Sequence, residues 1–113
     1  MKIIKEQRII GDNIYKIDIE ENGKYYDLQI WACKSYGDDI TILSEYYNNI
    51  DEVYKSINET IDLYEKGFVR CVKCHKVYKR EDIRHNRFYA GIYCDDCWNE
   101  PRFIERRRNE TYD

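Results

Sequence analysis

Residues 15–30 have the sequence YKIDIEENGKYYDLQI, in which apolar and polar side chains alternate on both sides of an Asn-Gly pair. Asn22-Gly23 is the preferred pair for a two-residue β-hairpin loop. A loop at this pair places Ile19 opposite Tyr26, and the apolar residues of both strands then share one face. The sequence therefore predicts an antiparallel hairpin with one buried face.

The other face of this hairpin is acidic. The same register places Asp18 opposite Asp27, with Glu20 nearby. Like charges that lie directly opposite each other destabilise a sheet unless cations neutralise them. Lys16 could serve as such a cation, and a solvated face is then the simpler interpretation. The functional alternative is a surface that meets a basic partner, with Asp18, Glu20 and Asp27 as partner-binding residues.

Further elements extend the hairpin on both sides. Ile3 to Ile10 is expected to form an edge strand, and Ile40 to Glu45 a further strand. Apolar residues then recur at three- and four-residue steps from Ile50 to Tyr64, which predicts a helix. Asn49 can cap its start and Gly67 suits its end. This part of the chain is therefore expected to form a β-meander with one helix packed on its apolar face.

Four cysteines in the second half follow the pattern C-x2-C-x19-C-x2-C: Cys71, Cys74, Cys94 and Cys97. Each Cys-x-x-Cys pair can offer two thiolates to one metal ion from a single tight turn. Four thiolates complete the tetrahedral coordination of Zn²⁺ and leave no open position. The spacing favours one structural zinc ion over a redox dithiol or an iron–sulfur cluster. So small a module cannot bury enough apolar surface to fold without its metal.

The cysteine pairs also suggest a local fold. The first pair is expected to form a knuckle, and His75 to Tyr78 is expected to pair with Phe88 to Tyr93 as a hairpin. The second pair would open a short helix that carries Pro101 in its first turn. This arrangement resembles a treble-clef or LIM-like zinc fold over about residues 69–108. The resemblance implies a structural metal site.

Charge divides the chain into two parts. Of its 113 residues, 1–67 hold 8 Lys/Arg against 14 Asp/Glu, a net charge of −6, and 68–113 hold 11 against 8, a net of +3. We therefore expect an α+β protein with two units: an acidic meander plus helix at 1–67, and a four-cysteine zinc module with an Arg-rich C-terminal helix at 68–113. Four thiolates on one Zn²⁺ would cancel most of the positive excess.

The expected location is the cytoplasm. No apolar run approaches the length of a membrane span, and the first residues contain no signal-peptide core. In a reducing cytosol, paired cysteines are more often metal ligands than disulfides. The fifth cysteine, Cys33, lies in a strand-like run and is expected to be a small buried filler.

A catalytic function is not expected. Treble-clef endonucleases of the His-Asn-His type also carry paired Cys-x-x-Cys motifs, but their catalytic histidine lies beside a second, open metal site. Here no histidine follows Cys97 and none precedes Cys71. His75 could replace a cysteine ligand, although a full set of four is available, and His85 is expected to lie in a turn.

Nucleic-acid binding is the alternative function. Arginines cluster in the second half among aromatic residues, as on zinc ribbons that bind phosphates. On this alternative the chain is a small zinc-ribbon or treble-clef protein that binds nucleic acid or regulates transcription. Acidic residues interspersed among the arginines favour salt bridges within the chain instead. The predicted partner-binding residues in this half are Arg84, Arg87, Arg106 and Arg107.

Binding to another protein is the preferred interpretation. Tyr, Trp and Arg dominate binding hot spots, and this chain has 12 Tyr and two Trp. In size, acidity and lack of catalytic residues the chain resembles the small inhibitors that phages make against host defences, of which anti-CRISPR proteins are the leading example. The resemblance implies a partner such as a Cas nuclease in the bacterial host cytosol, whose phosphate-binding groove an acidic surface could occupy.

Overall fold

A computed structural model of the chain describes residues 2–33, 39–83, 87–88 and 91–111, with the backbone alone at 87, 88, 107 and 109–111. Its elements confirm the α+β class: a four-stranded antiparallel meander, one main helix, and a C-terminal part of short strands and helices. In chain order they are β1 (Lys2–Ile10), β2 (Asn13–Glu21), β3 (Tyr26–Cys33), β4 (Ile40–Tyr47), α1 (Ile50–Glu65), β5 (Phe68–Arg70), β6 (Val77–Lys79), α2 (Arg80–Ile83), β7 (Arg87–Phe88), β8 (Gly91–Ile92), α3 (Asp95–Trp98) and α4 (Pro101–Thr111).

The meander has the strand order β1-β2-β3-β4, so the predicted edge strand is confirmed as β1. β4 ends at Tyr47, two residues beyond the predicted end. Its register with β3 shifts between the pairs Ile30–Leu43 and Trp31–Thr41. This irregularity adds one residue to β4, and it lets both Ile42 and Leu43 turn into the core, where each is 3% exposed.

The predicted register of the central hairpin is wrong by two residues. Ile19 lies opposite Leu28 and not opposite Tyr26, because the loop is centred one residue further along the chain. Gly23, with φ +73°, takes the first loop position, where a positive φ is needed. The Asn22 N–H donates to the Tyr25 carbonyl at 2.9 Å. A shift of two residues preserves the buried face, so the predicted apolar side of the hairpin is confirmed.

The shifted register changes which acidic residues face each other. Asp18 lies opposite Gln29, and Glu20 lies opposite Asp27. The predicted Asp18–Asp27 pair is therefore wrong, but all three acidic residues do lie on one face of the sheet, as predicted. We call this side of the sheet, away from α1, the outer face.

The predicted caps at the two ends of helix α1 are confirmed. The Asn49 side chain accepts a hydrogen bond from the Glu52 N–H at 2.8 Å. At the other end Gly67 takes φ +92°, and its N–H donates to the Tyr64 carbonyl at 3.1 Å. One side of the helix is buried on the sheet through Val53, Ser56, Ile57, Thr60, Ile61 and Tyr64.

The core of the sheet and helix continues into the C-terminal part. Val69, Ile83 and Ile92 belong to the same buried cluster as the residues of β2 and β3. β8 lies against β4, and Gly91 makes the closest approach: a Cβ at this position would lie 2.5 Å from Val72 Cγ1 and 3.3 Å from the Thr41 carbonyl oxygen. The predicted boundary between residues 67 and 68 is thus crossed by shared apolar packing.

The predicted hairpin between the two cysteine pairs is wrong. β6 pairs with β5 across the first knuckle, and the short strand β7 pairs with β8. The Cys71 N–H donates to the Lys76 carbonyl at 2.9 Å and closes the knuckle. The chain therefore turns back at the knuckle, and β6 pairs with β5, the strand that precedes it. Residues 80–83 then form α2, which separates β6 from the region to which it was expected to pair.

The single helix predicted after the second pair is two helices, α3 and α4. The break lies before Pro101, which has no N–H to donate and starts α4 as its first residue. The residue before a proline is also disfavoured in the helical conformation. Among the described residues, no helix is long and apolar enough to cross a membrane.

Candidate metal centre

The four predicted cysteine ligands lie together at the junction of β5, β6, β8 and α3. Their sulfur atoms all lie within 4.8 Å of one another. Cys74 Sγ and Cys94 Sγ are 3.7 Å apart. Four sulfurs at about 2.3 Å from a tetrahedral ion are separated by about 3.8 Å, so these side chains fit one metal ion. They can hold one ion, and zinc is the metal typical of such a set.

The knuckle places the first pair of sulfurs. The N–H groups of Lys73 and Cys74 point at Cys71 Sγ, at 3.4 and 3.5 Å. Such N–H groups stabilise negative charge on a sulfur. The Val72 N–H donates to the Ile92 carbonyl at 3.0 Å and so ties the knuckle to β8, which leads into the second pair.

The second pair lies at the start of α3. Cys94 immediately precedes this helix, and its carbonyl accepts from the Trp98 N–H at 2.8 Å. Cys94 is 2% exposed and Cys71 is fully buried, whereas Cys74 and Cys97 are partly exposed. The sulfurs are therefore held by backbone turns on both sides, with limited access for water.

The cysteines do not share negative charge equally. Burial alone would raise the pKa of Cys94, but hydrogen bonds from the Cys97 backbone and the Tyr78 hydroxyl outweigh it, and the pKa falls to about 7. Burial raises the pKa of Cys97, and its hydrogen bonds with Cys94 and Cys71 raise it further. Four thiolates within 4.8 Å of one another would repel each other. A divalent ion would remove that repulsion.

Tyr78 on β6 is a neighbour of the cluster that the sequence did not single out as part of the site. Its hydroxyl is hydrogen-bonded to Cys94 and Cys74, which, with burial, raises the pKa of the phenol. A phenolic O–H directed at thiolates acts as a donor to them. In the sequence, its position four residues after Cys74 is the only feature that places it near the site.

Three aromatic rings support α3 and α4. The Tyr93 ring lies 4.3 Å from that of Phe103, and the Trp98 ring lies 5.6 Å from Phe103, measured between centroids. Phe103 is 7% exposed. The packing of Phe103 on Tyr93 and Trp98 fixes the helices that follow the second cysteine pair.

His75 is not among the clustered ligands and contacts the sheet instead. Its Nδ1 lies 2.7 Å from Oε1 of Glu45 on β4. That oxygen is buried and no described residue is hydrogen-bonded to it, so the imidazole meets it as a close polar contact. The other oxygen, Oε2, accepts from the Tyr47 hydroxyl at 3.0 Å.

This contact continues into α1. The Tyr47 hydroxyl lies 2.6 Å from Ser56 Oγ, and burial, with smaller contributions from Glu45, raises the pKa of Tyr47 to about 12. His75 takes φ +65°, an uncommon conformation for a residue with a side chain. The knuckle, β4 and α1 are thus joined by one polar network, which sequence reasoning missed because its members are far apart in the chain.

Replacing His75 with glycine is expected to destabilise the metal-loaded protein by about 1–2 kcal/mol. The buried Glu45 oxygen loses its close contact with the imidazole, which costs about 1–3 kcal/mol, while relief of the positive φ returns part of this. His75→Asn should retain most of the stability, because its amide nitrogen replaces Nδ1 and asparagine tolerates positive φ. Urea unfolding measures both. A glycine variant as stable as the wild type would show that the contact does not stabilise the fold.

The predicted partner-binding residues fall into two groups. Asp18, Glu20 and Asp27 lie together on the outer face. Arg106 lies on α4 and is exposed, and it interacts with other residues of the chain. The side chains of Arg84, Arg87 and Arg107 lie outside the described residues.

Comparison with known protein families, with curated proteins and with solved structures finds no match. The site is therefore interpreted from its own geometry. Four sulfurs around one centre complete a tetrahedron, so an ion held there keeps no position for a substrate. Such a site stabilises the fold around it.

Proposed function

We propose that this protein is a zinc-containing, non-catalytic binding protein that docks through its outer face on a basic surface of another protein. The zinc ion would be structural and held by the four clustered cysteines. The proposed setting is the cytoplasm, where a reducing environment keeps thiolates available to metal.

The observation that carries the proposal is the Glu20–Asp27 pair, which lies on the outer face beside the turn between β2 and β3. The two residues lie directly opposite each other on β2 and β3. Burial raises the pKa of Asp27, and the negative charge of Glu20 raises it further. No ion pair joins Asp18, Glu20 or Asp27 to another described residue. A cation supplied by a partner would relieve this repulsion.

Aromatic side chains lie beside the acidic pair. Tyr46 is opposite Asp27 on β4, is 68% exposed, and packs edge to face with Tyr25 at 5.0 Å. Trp31 lies further along the same face, in the floor of a concavity of about 450 Å³ that Lys16 and Asp18 also line. An exposed Tyr46 and a half-buried Trp31 next to carboxylates are suited to binding Lys and Arg side chains.

A more specific form of the proposal is an inhibitor of a nucleic-acid-binding host protein, of the phage anti-CRISPR kind. An acidic face can occupy a groove built for phosphate, since the same lysines and arginines receive it. The support for a Cas nuclease as the target is the size, charge and non-catalytic composition of the chain.

The proposal predicts capture of one large basic protein by the zinc-loaded chain from a lysate of a CRISPR-bearing, low-GC bacterium. Added DNA should compete with capture, and Glu20→Lys/Asp27→Lys should abolish it by reversing the charge of the outer face. Glu52→Lys/Glu59→Lys is the matched control, because it makes the same charge change on exposed positions of α1. Two outcomes would count against the proposal and favour the nucleic-acid alternative. One is an equal loss of capture in both double variants. The other is no captured protein, together with salt-sensitive gel shifts when nucleic acid is added.

A further inference from the structure

The first strand of the meander has one edge without a strand partner. β1 pairs with β2 alone in the part of the chain that the structure describes. β4, at the other side of the sheet, contacts β5 and β8 of the C-terminal part. The C-terminal part therefore shields the β4 side, and the β1 edge is left with unpaired backbone donors and acceptors.

This edge is long and regular. All nine residues of β1 are in register with β2, without a bulge or a proline. Ile3 and Ile9 are 56% and 67% exposed. Of the usual protections against edge-to-edge pairing, β1 lacks a short length, a bulge and a proline, but it carries charged side chains, which restrict the registers in which it can pair.

We propose that β1 pairs with β1 of a second copy of this chain, antiparallel, about a two-fold axis at Gln7. Glu6 of each copy then lies opposite Arg8 of the other. Lys5 lies opposite Ile9, and Ile4 opposite Ile10. The two meanders form one continuous eight-stranded sheet.

Charge selects this register. In an antiparallel pair, residues that lie directly opposite each other point to the same face of the sheet. For both α1 helices to lie on one side of the joined sheet, a residue at the two-fold axis must therefore lie opposite the same residue of the second copy. An axis at Glu6 opposes two glutamates, and an axis at Lys5 opposes two lysines. Among the longest pairings, only the axis at Gln7 places an uncharged residue on itself and opposite charges beside it.

Glu6 and Arg8 are available for this pairing. Glu6 accepts a hydrogen bond from the Tyr54 hydroxyl at 3.1 Å, and Arg8 donates to Asn58 Oδ1 at 2.7 Å. No ion pair joins either residue to another described residue. Each keeps free hydrogen-bonding capacity, a second oxygen on Glu6 and further N–H groups on Arg8.

Pairing along one strand buries less area than the roughly 1,200–2,000 Å² of a standard interface, so the dimer depends on concentration. Sedimentation velocity on the zinc-loaded full chain should show dimer increasing with concentration. Glu6→Arg alone and Arg8→Glu alone should remain monomeric where the wild type is dimeric, because each creates like-charge pairs. The double variant restores opposite charges and should dimerise again, with circular dichroism confirming that each variant is folded.

A cross-link tests the register separately. Gln7→Cys should form a disulfide-linked dimer in oxidised glutathione, since the two residues meet at the axis. Lys5→Cys, equally exposed on the same strand, should not, since it opposes Ile9. A wild type that is monomeric at every concentration, single variants as dimeric as the wild type, or equal cross-linking of the two cysteine variants would overturn the proposal.

Discussion

Removing the metal with a chelator is expected to abolish hydrogen-exchange protection across residues 68–98 and to lower the melting temperature of the whole chain. Structural zinc in small sites contributes an apparent binding energy of about 10–16 kcal/mol, which equals or exceeds the roughly 5–15 kcal/mol stability of a typical domain. The short elements there have two to four residues each and cannot persist without the ion.

The loss should extend beyond the cysteines. Val69, Ile83 and Ile92 belong to the core cluster of the sheet and α1, so their release exposes apolar surface of the meander as well. Cys71→Ser should behave like the chelated protein. Cys33→Ala is the matched control, because Cys33 is buried in β3 away from the cluster and its replacement should leave the metal bound. Unchanged protection of 68–98 after verified metal loss would contradict this expectation.

Replacing Gly91 with alanine is expected to be the most damaging single substitution outside the cysteines, at several kcal/mol. Gly91 takes φ +144°, a conformation that costs other residues about 1–3 kcal/mol. The added Cβ would also lie 2.5 Å from Val72 Cγ1, and such overpacking costs about a further 1–3 kcal/mol.

Gly11→Ala separates these two costs. Gly11 also has a positive φ, of +59°, but a Cβ there would meet no atom within 4 Å. It should therefore show a backbone cost alone. Val72→Ala in the Gly91→Ala background should recover part of the lost stability by removing the clashing methyl group. Urea unfolding of the metal-loaded variants measures the differences, and a Gly91→Ala variant no less stable than Gly11→Ala would contradict the close packing of Gly91 against Val72 of the knuckle.

The meander and α1 could be predicted from the sequence because their signals are local and periodic. Alternation around Asn22-Gly23 identified the buried face, and Asn49 and Gly67 marked the ends of α1. The register itself could not be derived, because a shift of two residues leaves every side chain on the same face. That shift decides which carboxylates meet, and it replaced Asp18–Asp27 with Glu20–Asp27.

The metal ligands were predictable for a different reason. Cys-x-x-Cys spacing encodes the ligand geometry of a single turn. The prediction of Cys71, Cys74, Cys94 and Cys97 as ligands therefore did not depend on the fold of the residues between the two pairs. The pairing of β5 with β6 had no such signal, because strands of three residues are too short for a period to appear. The contact of His75 with Glu45 depends on how the knuckle docks on the sheet, which no local pattern encodes.

The proposal that this protein binds a partner through its outer face presupposes that the metal site is structural and closed. X-ray absorption at the zinc edge of the purified protein, together with the metal content per chain, tests this most directly. We expect one zinc ion per chain with four sulfur neighbours at about 2.3 Å and no nitrogen or oxygen neighbour. A nitrogen or oxygen in the coordination sphere, or a folded chain without bound zinc, would contradict it.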